Sequence, residues 1–192
     1  MPRARPVSMQ SDLFAALPPG LAFREDFVSP PEEADLVAHA ASLDFKPFQF
    51  QGWEGKRETV SFGWRYDFNE ARMHAAPPIP DFLLPLRERA AGFANLPAAA
   101  FEQALVIRYG VGAGIGWHRD RPAFDTVFGL SLLSRVPLRF RRRLATRGFQ
   151  RFTLDAAPRS AYLLTGEVRH EWEHGIAPVA ALRYSITFRS RK

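Results

Sequence analysis

The chain has 192 residues, 46% of them hydrophobic, which suits one globular domain with a sizeable core. It contains no cysteine; that excludes disulfides and thiolate metal sites, so a bound metal would have to rest on His, Asp or Glu. The net charge of +6 is carried almost wholly by arginine, with lysine only at Lys46, Lys56 and Lys192; this fits a phosphate-rich partner and, equally, a compositional bias in a chain also rich in Ala and Pro.

Residues 1–19 read as a flexible, proline-punctuated lead-in. Met1 to Ser11 lacks the apolar stretch of a secretory signal, and no apolar run is long enough to span a bilayer. A cytoplasmic protein without membrane contact is expected, and a monomer. Residues 20–192 read as a single domain, with the helices over 20–97 and a β-rich core over 98–192. Gly20–Phe27 reads as a short strand. Ser29-Pro30-Pro31-Glu32-Glu33 has the form of a helix start, with Ser29 as N-cap, prolines near the first position and acids in the first turn. Leu36, Val37, Ala40 and Leu43 continue that helix at helical spacing. Phe45–Phe68 is aromatic, partly alternating and broken by Gly52, Gly55 and Gly63, which predicts strands or a hairpin. Phe82, Leu83, Leu86 and Ala90 mark a second helix ending near Asn95-Leu96-Pro97.

From Phe101 the chain turns to short β-like segments: Gln103–Tyr109, Gly116–Asp120, Val127–Leu133, Leu138–Arg143, Arg151–Leu154, Ser160–Thr165 and Arg183–Arg189. Their density predicts a sandwich or barrel, giving a mainly β fold with N-terminal helices, α+β in class.

His118-Arg119-Asp120 is the most informative tripeptide. On a strand, residues i and i+2 share a face, so an imidazole and a carboxylate would aim at one point. A histidine from a distant strand would complete a 2-His-1-carboxylate face, the arrangement of non-haem Fe(II) oxygenases. Gly110, Gly112, Gly114 and Gly116 precede it, allowing close backbone approach. His174, before Gly175, sits in a similar small-residue setting. A rival pattern overlaps it: His170-Glu171-Trp172-Glu173-His174 matches H-E-x-x-H, which in zinc proteases needs a long helix. Thr165-Gly166 upstream and Gly175 and Pro178 downstream leave room for little more than two turns, so His170 is expected near the site mouth or on the surface. Arg183–Arg189 alternates strictly: Tyr184, Ile186 and Phe188 face one way, and Arg183, Ser185, Thr187 and Arg189 the other. The polar face is either solvated or the wall of a pocket that clamps a dicarboxylate through a guanidinium fork, as 2-oxoglutarate would require. Tyr109 could donate a phenolic hydrogen bond to the same ligand or lie in the core.

Taken in order, Tyr109, Gly112 and Ile115-Gly116-Trp117-His118-Arg119-Asp120, then Ser131-Leu132-Leu133, then Leu164-Thr165-Gly166 with Trp172-Glu173-His174-Gly175-Ile176, then Arg183 with Thr187-Phe188-Arg189, resemble the AlkB family. These are Fe(II)- and 2-oxoglutarate-dependent dioxygenases on a double-stranded β-helix (jelly-roll) core. The upstream Arg57–Tyr66 segment resembles the family's substrate lid. The resemblance implies that His118, Asp120 and His174 bind Fe(II). It puts Arg183 on the distal carboxylate of 2-oxoglutarate, Arg189 nearer the metal beside Asp120, and Tyr109 and Ser185 on the co-substrate. O2 would oxidise 2-oxoglutarate to succinate and CO2, and an N-alkylated base in DNA or RNA would be hydroxylated and dealkylated after being flipped into the pocket. The chain departs from the family at Ile107 and Ser185, where many members carry Asn, and at Pro122, where some repair members carry an acid.

Trp53, Arg57, Phe62, Trp64, Tyr66 and Arg121 are the candidate substrate-facing residues, the aromatics as stacking surfaces or as core. Arg139, Arg141, Arg142 and Arg143, with Arg147 and Arg151 after them, form the densest basic run. On a strand, Arg139, Arg141 and Arg143 share a face that could follow a phosphate backbone or simply coat a solvated edge. Two other readings stay open: the same oxygenase chemistry on a protein or small molecule, and a non-catalytic nucleic-acid-binding protein with a degenerate metal site.

Overall fold

The structure, a computed structural model, describes residues 17–192 apart from Gln51, Asn69 and the side chains of Phe50 and Trp53. The expected lead-in therefore lies almost wholly outside the described residues. Strand β1 (Leu21–Arg24) opens the fold, and helix α1 (Pro30–Ala41) follows. The helix begins at a reciprocal cap. Glu32 N–H donates to Ser29 Oγ at 3.4 Å, and Ser29 N–H donates to Glu32 Oε2 at 2.7 Å, so two otherwise orphaned donors are satisfied. Prolines in the first turn cost nothing there, because their missing N–H would have had no partner. A hairpin of β2 (Lys46–Phe50) and β3 (Trp53–Phe62) comes next, then β4 (Trp64–Asp67) and β5 (Arg72–Ala75). Helix α2 (Leu84–Ala94) stops at Asn95, whose φ of 55° is the left-handed cap that asparagine tolerates.

The remainder is β6 (Phe101–Tyr109), β7 (Ile115–His118), β8 (Phe124–Leu132), β9 (Val136–Arg143), β10 (Phe149–Ala156), β11 (Ala161–Leu164), the short helix α3 (Gly166–His170), β12 (Glu173–Ile176) and β13 (Arg183–Arg191). Every strand pair is antiparallel. Seven strands form a major sheet in the order β1-β11-β8-β13-β6-β3-β2; four form a minor sheet, β10-β9-β12-β7; and β4-β5 stands apart as a hairpin. This is the mainly β jelly-roll arrangement expected, with the longer helices N-terminal. No helix among the described residues is long and apolar enough to cross a membrane.

The major sheet is apolar on both faces, and each face has its own core. Leu36, Ala40, Leu86 and Ala90 of the helices pack on Phe128, Leu130, Tyr184, Ile186 and Phe188. The opposite face meets the minor sheet through Ile107, Tyr109, Val127, Leu138, Phe140, Trp172 and Ile176. Burying each large side chain stabilises the fold by about 1.5–3 kcal/mol. The alternation of β13 divides as expected, Tyr184, Ile186 and Phe188 entering the helix-side core while Ser185, Thr187 and Arg189 line the cavity between the sheets.

Three expectations need correction. Strand β7 stops at His118, so Asp120 lies on the following loop and shares no strand face with it. The loop is gathered by Arg169, a side chain from α3, and so does not need an extended backbone. Strand β9 runs between β10 and β12, so the arginine run is not an edge; two of its guanidiniums are used internally, Arg141 on Glu173 at 2.6 Å and Arg142 on Glu167 at 2.8 Å. Of the four glycines before His118, Gly114 makes the close approach: a Cβ there would lie 2.7 Å from Ile176 O, whereas Gly110 and Gly116 face open space.

Candidate metal centre and its cavity

His118 ends β7, and His174 on β12 is its direct cross-strand partner. The two rings lie 4.3 Å apart between centroids, tilted by 56°. His174 Nε2 is 3.7 Å from Asp120 Oδ2. His118 Nδ1 lies 2.9 Å from Gly116 O. A carbonyl only accepts, so Nδ1 carries the proton and Nε2 keeps a free lone pair. Burial, reinforced by the neighbouring His118, pushes His174 down to about 3. Burial also lowers His118, against the opposing pull of Asp120. Both imidazoles are thus neutral at pH 7, the form that ligates metals.

Burial by itself would raise the Asp120 carboxyl, but Arg189, then His174 and His118, hold it well below the usual carboxylate range. Arg189 clasps one oxygen, Nε and Nη2 lying 3.0 and 2.9 Å from Oδ1. The other oxygen, Oδ2, is buried with no hydrogen-bond partner. Two neutral imidazoles and an ionised carboxylate with a free, desolvated oxygen make a donor set suited to a divalent cation of the Fe(II) kind. The overlapping H-E-x-x-H does not form a helix face: α3 ends at His170, and His174 is already on a strand. His170 lies at the surface, with Nε2 3.2 Å from Asp125 Oδ1. A separate group, Asp67, Glu70 and His74 on the β4–β5 hairpin, brings three ligand atoms within 4.8 Å of one another; there His74 Nε2 already faces Glu70 at 2.9 Å.

Along β13 from Arg189, Arg183 is 1% exposed. Its Nε donates to Ser131 Oγ at 3.1 Å, while Nη1 is buried without a partner. It pairs across strands with Tyr109 and lies 5.0 Å from that ring. Ser185 sits opposite Ile107 on one side and Ser131 on the other. Tyr162 of β11 enters the same wall: burial raises its phenol to about 12, so it stays a proton donor. It fits because position 129 is glycine; a Cβ there would stand 2.2 Å from the Tyr162 ring.

His118, Asp120, His174, Arg189, Tyr109, Ser185 and Tyr162 line one cavity of about 1000 Å³ between the sheets, while Arg183 and Ser131 are buried behind that lining. Its outer wall holds Tyr66 and Phe68 in edge contact, 5.0 Å between centroids, with the Arg121 guanidinium 4.6 and 4.7 Å from the two rings. The β4–β5 hairpin thus covers the cavity, whereas the β3 part of the expected lid is a strand of the major sheet. Phe62 is not a stacking surface; it is buried in the helix-side core. Trp64 is not among the lining residues: its ring lies 4.4 Å from Arg191 and its carbonyl accepts from Gln103. The Trp53 side chain lies outside the described residues. Arg57 is buried and lines the cavity, stacked 3.6 Å from the Phe48 ring.

Sequence reasoning missed Arg169. Buried at 4% exposure, it donates to the backbone carbonyls of Arg121 at 2.8 Å and Phe124 at 2.6 Å, and reaches Asp120 O at 3.4 Å. Arg119 returns a bond from the loop to His170 O at 3.3 Å. The helix that leads into His174 therefore also holds the loop that carries Asp120. The basic side chain three residues into α3 was the only signal available for this role.

Comparison with known proteins agrees with this architecture. Residues 20–189 match the model of the 2OG-Fe(II) oxygenase superfamily. An Arabidopsis thaliana relative described as an alkylated DNA repair protein ALKBH8 homolog is 29% identical over 184 residues, covering 82% of this chain and 51% of its own length. A Xenopus tropicalis relative named tRNA (carboxymethyluridine(34)-5-O)-methyltransferase alkbh8 is 29% identical over 179 residues, covering 90% of this chain and 27% of its own length. The chain thus spans about half of the first relative and about a quarter of the second. Among solved structures, OsALKBH1 superposes with a TM-score of 0.71 at 16% identity, over 92% of this chain and 99% of that one. A Pseudomonas putida prolyl-4-hydroxylase superposes at 0.60 and 14% identity, over 90% and 93%; these two show the shared fold. The chain belongs to the 2OG-Fe(II) oxygenase superfamily, whose members use Fe(II), 2-oxoglutarate and O2, and within it is AlkB-like.

Proposed function

We propose that this chain oxidatively dealkylates N-alkylated bases in DNA or RNA, with His118, Asp120 and His174 holding the iron. The observation that carries the reading is the split role of the Asp120 carboxylate: Oδ1 is taken by Arg189, and Oδ2 is buried without a donor beside His174 Nε2. A desolvated carboxylate oxygen is costly unless a cation takes it up. Arg183 would take the distal carboxylate of 2-oxoglutarate, since its unpartnered Nη1 is the donor left over after Ser131. Tyr109 and Ser185 would hold the co-substrate from the adjoining strands, and Arg189 would keep Asp120 ionised and oriented. When bound, Fe(II) with O2 supplies the oxidising power that couples conversion of 2-oxoglutarate to succinate and CO2 with hydroxylation of the alkyl group. The apolar walls, Ile107, Leu138 and Ile176 among them, exclude water from that oxidation. Tyr66, Phe68 and Arg121 offer a stacking surface for a base drawn out of its helix.

The reading is tested by incubating the protein with Fe(II), 2-oxoglutarate and a panel of methylated DNA and RNA oligonucleotides, following succinate, formaldehyde and base mass. Formaldehyde released in step with succinate supports it; succinate without base change rejects the substrate. A second reading, the same oxidation of a protein or small molecule, is favoured by one observation. Arg141 and Arg142 are spent on Glu173, Glu167 and Glu171, so the minor sheet offers less of a phosphate track than its arginine run suggests.

A further inference from the structure

Six basic side chains line the cavity against three carboxylates. Each carboxylate has its own cation: Asp44 faces Lys46 at 2.8 Å, Asp67 faces Arg65 at 3.5 Å, and Asp120 faces Arg189 at 2.9 Å. Arg57, Arg119 and Arg121 remain. Arg119 and Arg121 keep contact with solvent, where an unpaired guanidinium costs little. Arg57 does not. It is buried at 9% exposure, and among the described residues no carboxylate lies within ion-pair reach of it. Among the described residues its guanidinium stacks on the Phe48 ring at 3.6 Å. A stacked aromatic face offsets part of the cost of burying a cation but does not neutralise it.

From this we propose that Arg57 is an anion subsite for the primary substrate, recognising a carboxylate or phosphate carried by the nucleoside that enters the cavity. The inference rests on the nucleic-acid reading above and narrows it. Co-substrate does not answer the need as well. Arg183 and Tyr109, on β13 and β6, offer the dicarboxylate its own donors, and Arg57 enters from β3, on the far side of β6. Arg57 nevertheless shares one cavity lining with His118, Tyr109 and Arg189, so an anion held there would share that cavity with the metal site. Burial lowers the Arg57 pKa, the direction expected of a cation awaiting a counter-charge. A guanidinium fork binds carboxylate and phosphate alike, so the geometry does not choose between a charge on the base and one on the sugar.

The test is calorimetric binding to protein loaded with Mn(II) and 2-oxoglutarate, using matched pairs: 5-carboxycytidine against its amide, cytidine 5′-monophosphate against cytidine, and N-acetylglutamate against N-acetylglutamine. The inference predicts that one charged nucleoside binds at least about tenfold more tightly than its neutral partner, and that which pair responds tells base carboxylate from phosphate. Arg57→Met, which keeps the packing on Phe48, should erase that preference, leaving neutral-partner and 2-oxoglutarate affinities within about twofold. Arg57→Lys should keep part of it, and melting curves of both variants check folding. Equal binding of charged and neutral partners overturns the inference, as does a preference that survives Arg57→Met. A weakened 2-oxoglutarate affinity in Arg57→Met also overturns it, since Arg57 would then serve the co-substrate. An Arg57-dependent preference seen with N-acetylglutamate alone upholds the anion subsite and rejects the nucleic-acid reading on which its nucleoside form rests.

Discussion

Arg169→Met would remove the guanidinium that gathers the Asp120 loop while leaving a side chain of similar reach. Two of its bonds are short, 2.8 Å to Arg121 O and 2.6 Å to Phe124 O, and a third to Asp120 O is long at 3.4 Å. Charge-assisted hydrogen bonds contribute about 1.5–3 kcal/mol each, so the two short ones are worth about 3–6 kcal/mol before offsets. Part of that is returned, because the variant no longer buries a cation whose Nε has no partner. The expected net loss is about 2–4 kcal/mol, which for a chain of this size lowers Tm by about 5–15 °C. The loop should loosen around Asp120, and metal affinity should fall about 10–100-fold, as is typical when a group supporting a ligand is removed. Thermal melting and an anaerobic Co(II) titration followed by visible absorbance measure the two effects. A variant that melts within about 2 °C of the parent and binds Co(II) equally well would refute the role assigned to Arg169.

Arg183→Met should raise the 2-oxoglutarate needed for half-maximal succinate formation by about 10–100-fold, the loss of one buried charged pair, while Co(II) affinity stays put; an unchanged requirement would exclude the clamp. Ser29→Ala should cost about 1 kcal/mol by opening the capping box, seen as a Tm lowered by about 2–4 °C. The Glu32 carboxyl is held below its usual value first by the Ser29 N–H and then by its hydroxyl and Arg89. Because the folded pKa is depressed, the stabilisation is full above about pH 4.5, the unperturbed value, and is lost as pH falls through the folded pKa. Urea denaturation of Glu32→Gln against the parent should show a gap at pH 6 that closes in acid; a gap independent of pH would contradict it. Gly129→Ala should misplace Tyr162 and either unfold the protein or weaken 2-oxoglutarate binding, since the added Cβ meets that ring; wild-type melting and affinity would contradict this.

What could be read from the chain was what repeats locally. Tyr184, Ile186 and Phe188 alternate with Ser185, Thr187 and Arg189 because a strand has period two, and the two faces separate into core and cavity as that period requires. Ser29 and Glu32 announced α1 because capping is a three-residue affair. The misreadings share a physical cause: partners distant in sequence. Asp120 leaves the strand because its loop is bonded to Arg169, 49 residues on. Arg141 looked like a phosphate contact because nothing nearby reveals Glu173, 32 residues on. Phe62 and Tyr66 are both aromatic and four residues apart, yet one faces the helices and the other the cavity, since the chain passes from the major sheet into a separate hairpin at Gly63.

The most direct test of the account is succinate formation from 2-oxoglutarate under O2, with and without added Fe(II), in the parent and in Asp120→Ala and His174→Ala. The account predicts Fe(II)-dependent succinate in the parent and none above background in either variant, with both variants still folded by melting analysis. Turnover that persists in both folded variants would contradict it, because the metal would then lie elsewhere.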